Sequence, residues 1–323
     1  MVKRRREELL GPVDALFDKA DLVVGNLETP LVSGGKAISK TGANFRSDPA
    51  LADHIKSLGF DVLTLANNHI ADYGKAGILD TMRALESASI LHCGAGLTHE
   101  DASTPVYVSV KGRTLAILSF ADGEFAEPTA NGPGAARLDL FANQRQIETA
   151  QKNADVVVVC VHSGNEYQVI PSPRVRQNFH RLAEAGADAV IGHHPHIPLT
   201  YEIHEGVPVC YSLGNFLFQA RGKRPPAWYL AEIPVLTLGG SSPTVNMNAF
   251  HVTSDSCVKE LSDAQKAAFK EYLVKAADVL KTEQEHIRVW EEEVRRLFSK
   301  KWPRWRSRLA SLVLPEEKTI TRW

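Results

Sequence analysis

Short runs of Val, Ile and Leu recur along the chain, and each leads directly into a polar segment: DLVVGNLE (21–28), DVLTLANNH (61–69), DVVVVCVHSG (155–164), DAVIGHHPH (188–196) and VPVCYSLGNF (207–216). Continuous apolar runs of this kind, bounded by turn residues, predict buried strands. Between them the apolar spacing changes to the helical period, predicting helices over 48–59, 76–89, 140–153 and 173–186. In VRQNFHRLAEAG, Val175, Phe179, Leu182 and Ala183 share one face and Gly186 is placed to stop the helix. VYVSVKGRTLAILSF (106–120) predicts a hairpin turning at Lys111-Gly112. Residues 229–253 predict further antiparallel strands around a Gly/Ser/Pro turn at 239–243. The order of elements places the chain in the α/β (α+β) class, with two sheets or one mixed sheet covered by helices.

From about Ser262 the pattern becomes strongly helical, opening on a capping box at Ser262 and Gln265. Phe269, Leu273, Ala276, Leu280, Ile287, Trp290, Val294 and Leu297 predict one apolar stripe, with a break near 281–284. The stretch RRLFSKKWPRWRSR (295–308), with Trp302 and Trp305, reads as a solvated basic face with packed Trp rings, or as a surface for an acidic peptide, a polyanion or a membrane. The expected division is a body over 1–255 and a C-terminal helical extension over 256–323.

Composition narrows the classes. With 37 Lys+Arg against 38 Asp+Glu the net charge is −1, so no global field favours nucleic acid, and none is expected as a partner. No apolar run reaches the roughly 18 residues of a membrane span. The basic start MVKRRREELLGPVDALF has no apolar core of a signal peptide. The chain as it stands is therefore expected in the cytoplasm, with any upstream anchor belonging to a longer precursor. Cys93, Cys160, Cys210 and Cys257 form no C-x-x-C pair and read as core thiols.

The strand ends carry the chemistry. In α/β folds ligands gather where strands finish, and here those positions hold Asn26 and Glu28, then Asn67, Asn68 and His69, then His162 and Glu166, then His193, His194 and His196, then Asn215. Imidazoles and carboxylates are the usual ligands of Zn, Mn or Fe. In His194-Pro195-His196 an extended backbone would point both rings to one side, with Pro195 stiffening the pair. Each residue alone has a plainer role: a single His is usually structural, Asn67-Asn68 suits a helix cap, Gly192 and Gly214 suit turns, and Asp72 and Glu166 suit solvated loops. His54, His92, His99, His180, His204, His251 and His286 lack the strand-end setting and read as structural or solvated.

The segments ADLVVGNLETPL, LTLANNHIADYGKAGILDT, VVVVCVHSGNEYQVIPSPRVRQ, AGADAVIGHHPH and YSLGNFLF resemble, in order, the motifs of CapA-type (PgsA-type) proteins of bacterial capsule and poly-γ-glutamate biosynthesis, from about residue 12 to about 220. The resemblance implies a calcineurin-like metallophosphatase fold: two packed mixed β-sheets flanked by helices, with a metal centre at one edge. It implies that Glu28 is a bridging carboxylate, Asn68 an amide ligand, His162 and His194 ligands of the second metal and His196 a ligand of the first. His69 would be the general acid or transition-state stabiliser. The family opens with a Gly-Asp strand ahead of its NLE motif, and MVKRRREELLGPVDALFDKA holds none. The second site is thus expected complete in Glu28, Asn68, His162 and His194, and the first is expected to retain Glu28 and His196. Mn, Zn, Fe and Ca remain open as the divalent metal. The implied chemistry is hydrolysis of a peptide, poly-γ-glutamate-like or phosphoester substrate by metal-activated water. The alternatives are a peptide epimerase, with His69 and Asp72 or His162 and Glu166 as proton-transfer pairs, and a non-catalytic component of a polymer-synthesis complex. Asn26, Asn67, His193 and Asn215 are expected to face an anionic polymer or peptide substrate.

Overall fold

The computed structural model describes residues 5–123, 132–219, 224–238 and 243–301. Two short helices, α1 (Arg6–Leu10) and α2 (Asp14–Phe17), lead into β1 (Val24–Asn26), α3 (Leu51–Ser57), β2 (Val62–Thr64), α4 (Gly74–Ser87) and β3 (Leu91–Cys93). There follow β4 (Ala95–Gly96), α5 (His99–Ser103), β5 (Val106–Val110), β6 (Arg113–Ala121), β7 (Gly134–Ala135), α6 (Leu140–Gln151), β8 (Val156–His162), α7 (Pro173–Glu184) and β9 (Ala189–His193). The chain continues through β10 (Tyr201–His204), β11 (Val207–Cys210), β12 (Leu230–Thr237), β13 (Thr244–Val252), β14 (Val258–Glu260), α8 (Asp263–Val279) and α9 (Glu283–Lys301).

A six-stranded mixed sheet in the order β10-β11-β9-β8-β6-β5 forms the centre. Its four inner strands run parallel and its two edge strands antiparallel. Val157, Val159 and Val161 of β8 pack with Ile147 of α6 and Val175, Phe179 and Leu182 of α7. Val156, Val158 and Cys160 face the other way, into a layer shared with Leu236 and Met247 of β12 and β13. A strand buried on both faces reads as an unbroken apolar run, which is why 156–161 shows no alternation. The second layer holds the parallel sheet β1-β2-β3 and the antiparallel sheet β12-β13-β14, with α3 and α4 packed beyond β1 and β2. The expected α/β architecture of packed sheets flanked by helices is observed, with the second layer made of one parallel and one antiparallel sheet rather than a single mixed one.

Local signals explain the element ends. The Ser172 hydroxyl accepts from Val175 N–H with Pro173 in the first turn, so α7 starts there. The β5–β6 turn has φ of 49° at Lys111 and 79° at Gly112, the double positive φ of a type I′ hairpin. Gly192 is not a turn glycine. It lies within β9, where an added Cβ would sit 2.2 Å from the Tyr211 carbonyl oxygen. The neighbour is backbone and has little room to yield. Gly192→Ala is therefore expected to cost about 1–3 kcal/mol of stability, read by chemical denaturation; an unchanged midpoint would refute the close approach.

The capping box at Ser262 and Gln265 is present, and the helix breaks between Val279 and Glu283. Both C-terminal helices dock on the body. Phe269, Ala276 and Leu280 are buried, Tyr272 Oη donates to Pro198 O at 3.0 Å, and His286 Nε2 lies 2.8 Å from Pro171 O. Ile287 departs from the expected stripe: it is 38% exposed while His286 is buried, because the break resets the phase of the second helix. β14 pairs with β13, so the body's sheet continues past residue 255. The side chains from Leu297 onward and all of residues 302–308, including Trp302 and Trp305, lie outside the described residues, as does most of the 239–243 turn. Among the described residues no helix is long and apolar enough to cross a membrane.

Candidate metal centre

Parallel pairing brings the strand ends into one row. Ala121, His162 and His193 are register partners across β6, β8 and β9. Asn26 and Thr64 pair where β1 and β2 finish. The residues just beyond these ends face one another across the two layers.

His162 Nε2 lies 3.1 Å from Asn68 Oδ1, 3.1 Å from His194 Nδ1 and 3.7 Å from Glu28 Oε1. The ligand atoms of Glu28, His162 and His194 all lie within 4.8 Å of one another. His196 Nε2 approaches the same Glu28 oxygen at 3.5 Å. Tetrahedral ligands about 2.1 Å from a cation stand about 3.4 Å apart, so this spacing suits a metal ion. One further fact fits: Glu28 Oε1 is buried with no hydrogen-bond partner. A buried acceptor without a donor is costly unless something positive meets it.

Electrostatics favour the ligand form of the two imidazoles and work against it at Glu28. Burial pushes the Glu28 carboxyl up to about 7, with nearby His196 and Lys40 pulling down and Glu166 pushing up. Burial holds His162 well below the usual imidazole range and His194 at about 4, helped in each case by neighbouring imidazoles. Both rings are therefore neutral at pH 7, with lone pairs available.

The His194-Pro195-His196 segment departs from expectation. It is not extended: φ is 106° at His194 and 59° at His196. Positive φ at a non-glycine residue costs about 1–3 kcal/mol and persists only where the surroundings hold it. Part of the hold comes from Asn215, whose Oδ1 lies 2.9 Å from His196 Nδ1 while its amide donates to the carbonyls of His196 and Trp228. This directs the His196 Nδ1–H to Asn215 and leaves an Nε2 lone pair on the Glu28 side, where a cation would meet both. Asn215, expected to face substrate, is thus buried and occupied with orienting a ring. Asn215→Ala is expected to weaken cation affinity about 10–100-fold, measured by titration calorimetry; unchanged affinity would exclude His196 from the centre.

His69 stands beside the ligand set. Its Nδ1 lies 2.8 Å from Asp72 Oδ2, and its ring stacks on Phe45 at 4.0 Å between centroids. Burial alone would raise the Asp72 carboxyl, but hydrogen bonds from His69, Lys40 and the Phe45 N–H outweigh it and bring it below the ordinary value. Asn67 is fully buried. Its amide donates to Leu27 O at 2.8 Å and lies 3.4 Å from Asn26 Oδ1, and its Oδ1 accepts from His69 N–H, so it ties β1 to the turn after β2. Asn26 Nδ2 lies 3.5 Å from Glu28 Oε2. His193 ends β9, and its carbonyl accepts from Ser163 N–H. Glu166 is exposed, whereas His162 turns Nε2 toward Glu28, Asn68 and His194. His180, by contrast, bonds Glu202 at 2.8 Å and stacks on His204, a structural arrangement.

Three residues at the site are not anticipated by the sequence pattern. Asp122, just past β6, lines a small cavity with Asn68, His162, Gly164 and His194, and accepts from Ser163 Oγ and Arg174. Its signal is an acid following an apolar strand, obscured because β6 reads as the second arm of a hairpin. Lys40 and Phe45 come from an aperiodic stretch that offers no signal.

Residues 3–220 match the family model described as bacterial capsule synthesis protein PGA_cap. The chain is 36% identical over 215 residues to the capsule biosynthesis protein CapA of Bacillus anthracis, covering 64% of this chain and 52% of that one. It is 33% identical over 264 residues to the PGA biosynthesis protein CapA of Bacillus subtilis, covering 80% and 69%. The chain thus spans about half the length of the first relative. Among solved structures, a hypothetical protein from Thermus thermophilus aligns with a TM-score of 0.46 at 18% identity, covering 74% of this chain and 91% of that one. Every strand end that contributes to the centre lies inside the matched stretch, and the chain belongs to the PGA_cap family of bacterial capsule synthesis proteins.

Proposed function

We propose that this chain is a metal-dependent hydrolase acting in capsule-type polymer synthesis on a peptide or poly-γ-glutamate-like substrate. The observation that carries the reading is the convergence of Glu28, Asn68, His162 and His194 around an orphaned carboxylate oxygen, beside the His69–Asp72 pair. Glu28, Asn68, His162 and His194 would hold the cation, with His196 on the Glu28 side. A divalent cation there supplies Lewis acidity to the scissile group and to a nucleophilic water. His69, with Nδ1 engaged by Asp72, has Nε2 at its opposite ring edge to take a proton from the nucleophile and then pass it to the leaving atom. The names of the Bacillus relatives, capsule biosynthesis and PGA biosynthesis, support the substrate class.

The same His69–Asp72 pair supports a second reading, epimerisation of a peptide residue by removal and return of its α-proton. One experiment separates the two. The chain, loaded with Mn or Zn, is incubated with γ-glutamyl oligomers in D₂O and the products are analysed by mass spectrometry. Hydrolysis shortens the oligomer with no carbon-bound deuterium. Epimerisation leaves the length unchanged and adds deuterium at Cα. Neither change, with metal bound, would discard both readings for this substrate and leave the non-catalytic role in the synthesis complex.

A further inference from the structure

Lys40 has no part in the roles above, yet its side chain is only 2% exposed and sits against the His69–Asp72 pair. It arrives on the segment between Leu31 and Ser47, whose two ends pair with each other. Its ammonium forms an ion pair with Asp72 Oδ1, and it lies 3.2 Å from both the Asn68 carbonyl oxygen and His69 Nδ1. We propose that Lys40 is a positioning residue, holding Asp72 as a charged acceptor so that the His69 ring carries its hydrogen on Nδ1 and keeps a lone pair on Nε2. The proposal rests on reading His69 as the proton carrier, but its test does not depend on turnover.

The argument starts from a conflict at one atom. His69 Nδ1 has an acceptor, Asp72 Oδ2, at 2.8 Å and a donor, Lys40 Nζ, at 3.2 Å. A ring nitrogen satisfies one or the other: with a hydrogen it donates to the carboxylate, without one it accepts from the ammonium. The carboxylate is closer, and the ammonium has the Asp72 Oδ1 and Asn68 oxygens as better acceptors. Nδ1 therefore carries the hydrogen. Asp72 is completely buried, and Lys40 is the cation that balances it. The Phe45 N–H adds a bond to Oδ2 at 2.6 Å but brings no charge. Removing one member of a buried ion pair leaves the other uncompensated. Without the ammonium the buried Asp72 charge is uncompensated, the carboxylate is no longer held as the acceptor of the Nδ1 hydrogen, and that hydrogen is released to move to Nε2. Lys40 also bonds the backbone of Asn68, so one side chain ties the proton carrier to the turn that presents a ligand.

The test is ¹⁵N imidazole NMR of His69 in the full chain at pH 8, after dialysis against a chelator. Wild type should show a protonated Nδ1 and a lone-pair Nε2. Lys40→Met and Lys40→Gln should lose the lone-pair signal of Nε2, and Lys40→Arg, which keeps the charge, should retain it. An Nε2 lone pair persisting in folded Lys40→Gln or Lys40→Met would overturn the proposal, as would an Nε2 hydrogen in wild type. If both neutral variants fail to fold, the wild-type and Lys40→Arg spectra decide: both must show the Nδ1 hydrogen. Metal content, measured on the same samples before dialysis, tests the centre separately. A wild type that binds no cation while showing the predicted ring pattern would end the metal reading and leave the role of Lys40 standing.

Discussion

Replacing His162 with alanine is expected to abolish retention of a divalent cation while the chain stays folded. His162 Nε2 is the atom nearest the middle of the set, 3.1 Å from both Asn68 Oδ1 and His194 Nδ1. Loss of a group that only orients a ligand typically costs about 10–100-fold in metal affinity, so loss of this ligand should cost more than about 100-fold. Elemental analysis of dialysed wild type, His162→Ala and His194→Ala gives the direct answer. Thermal unfolding gives a second. A cation at about 100 times its dissociation constant stabilises the folded chain by about 2.7 kcal/mol, several degrees in Tm, and chelator should reverse this in wild type but not in His162→Ala. Binding also competes with the proton on Glu28, which burial holds up to about 7. Below that pH the carboxyl is protonated and poor as a ligand, so cation loading should strengthen as pH rises through about 7. A wild-type chain that retains no cation at pH 8, with a Tm indifferent to chelator, would remove the proposed centre.

His69→Gln is expected to lower turnover about 10²–10⁴-fold with cation content unchanged, the usual contribution of a positioned acid or base. Gln keeps hydrogen-bonding capacity but cannot carry a proton through the cycle. The ring is held by Asp72 and Phe45 rather than by the ligand atoms. The substitution should therefore separate chemistry from binding: the affinity for oligomer stays near wild type and the rate falls. The assay is the D₂O experiment, scored for cleavage and for deuterium. Full activity in His69→Gln would take proton transfer away from this residue. Loss of cation along with activity would instead make His69 part of the scaffold of the centre.

Much of the architecture is legible in the sequence because it is written locally. The burial of β8 on both faces shows as six consecutive apolar residues before His162, and α7 shows as a helical stripe between a Ser-Pro start and Gly186. The helix break before Glu283 is expected from the pattern, but the phase of α9 is not: Ile287 faces outward because a new helix starts at an angle set by docking, which propensity does not encode. At the centre, the chemical types at the strand ends are legible for the same local reason, since each follows its own apolar run. Asp122 escapes notice because β6 reads as a hairpin arm, whereas in the sheet it also pairs in parallel with β8 and so ends at the same edge.

The sequence by itself determined which residues stand at the ends of buried strands and that these are Glu, Asn and His, because hydrophobic period and turn residues act within a few positions. Only the tertiary structure decided which atoms meet. Parallel register put His162 beside His193 and Ala121, positive φ at His194 and His196 turned both rings toward Glu28, and Asn215 selected the nitrogen that His196 presents. It also brought Lys40 from an aperiodic segment to a fully buried Asp72. Such meetings depend on close packing between segments distant in the chain, where the desolvation of a charge selects its partner, and no pattern along the chain records that choice.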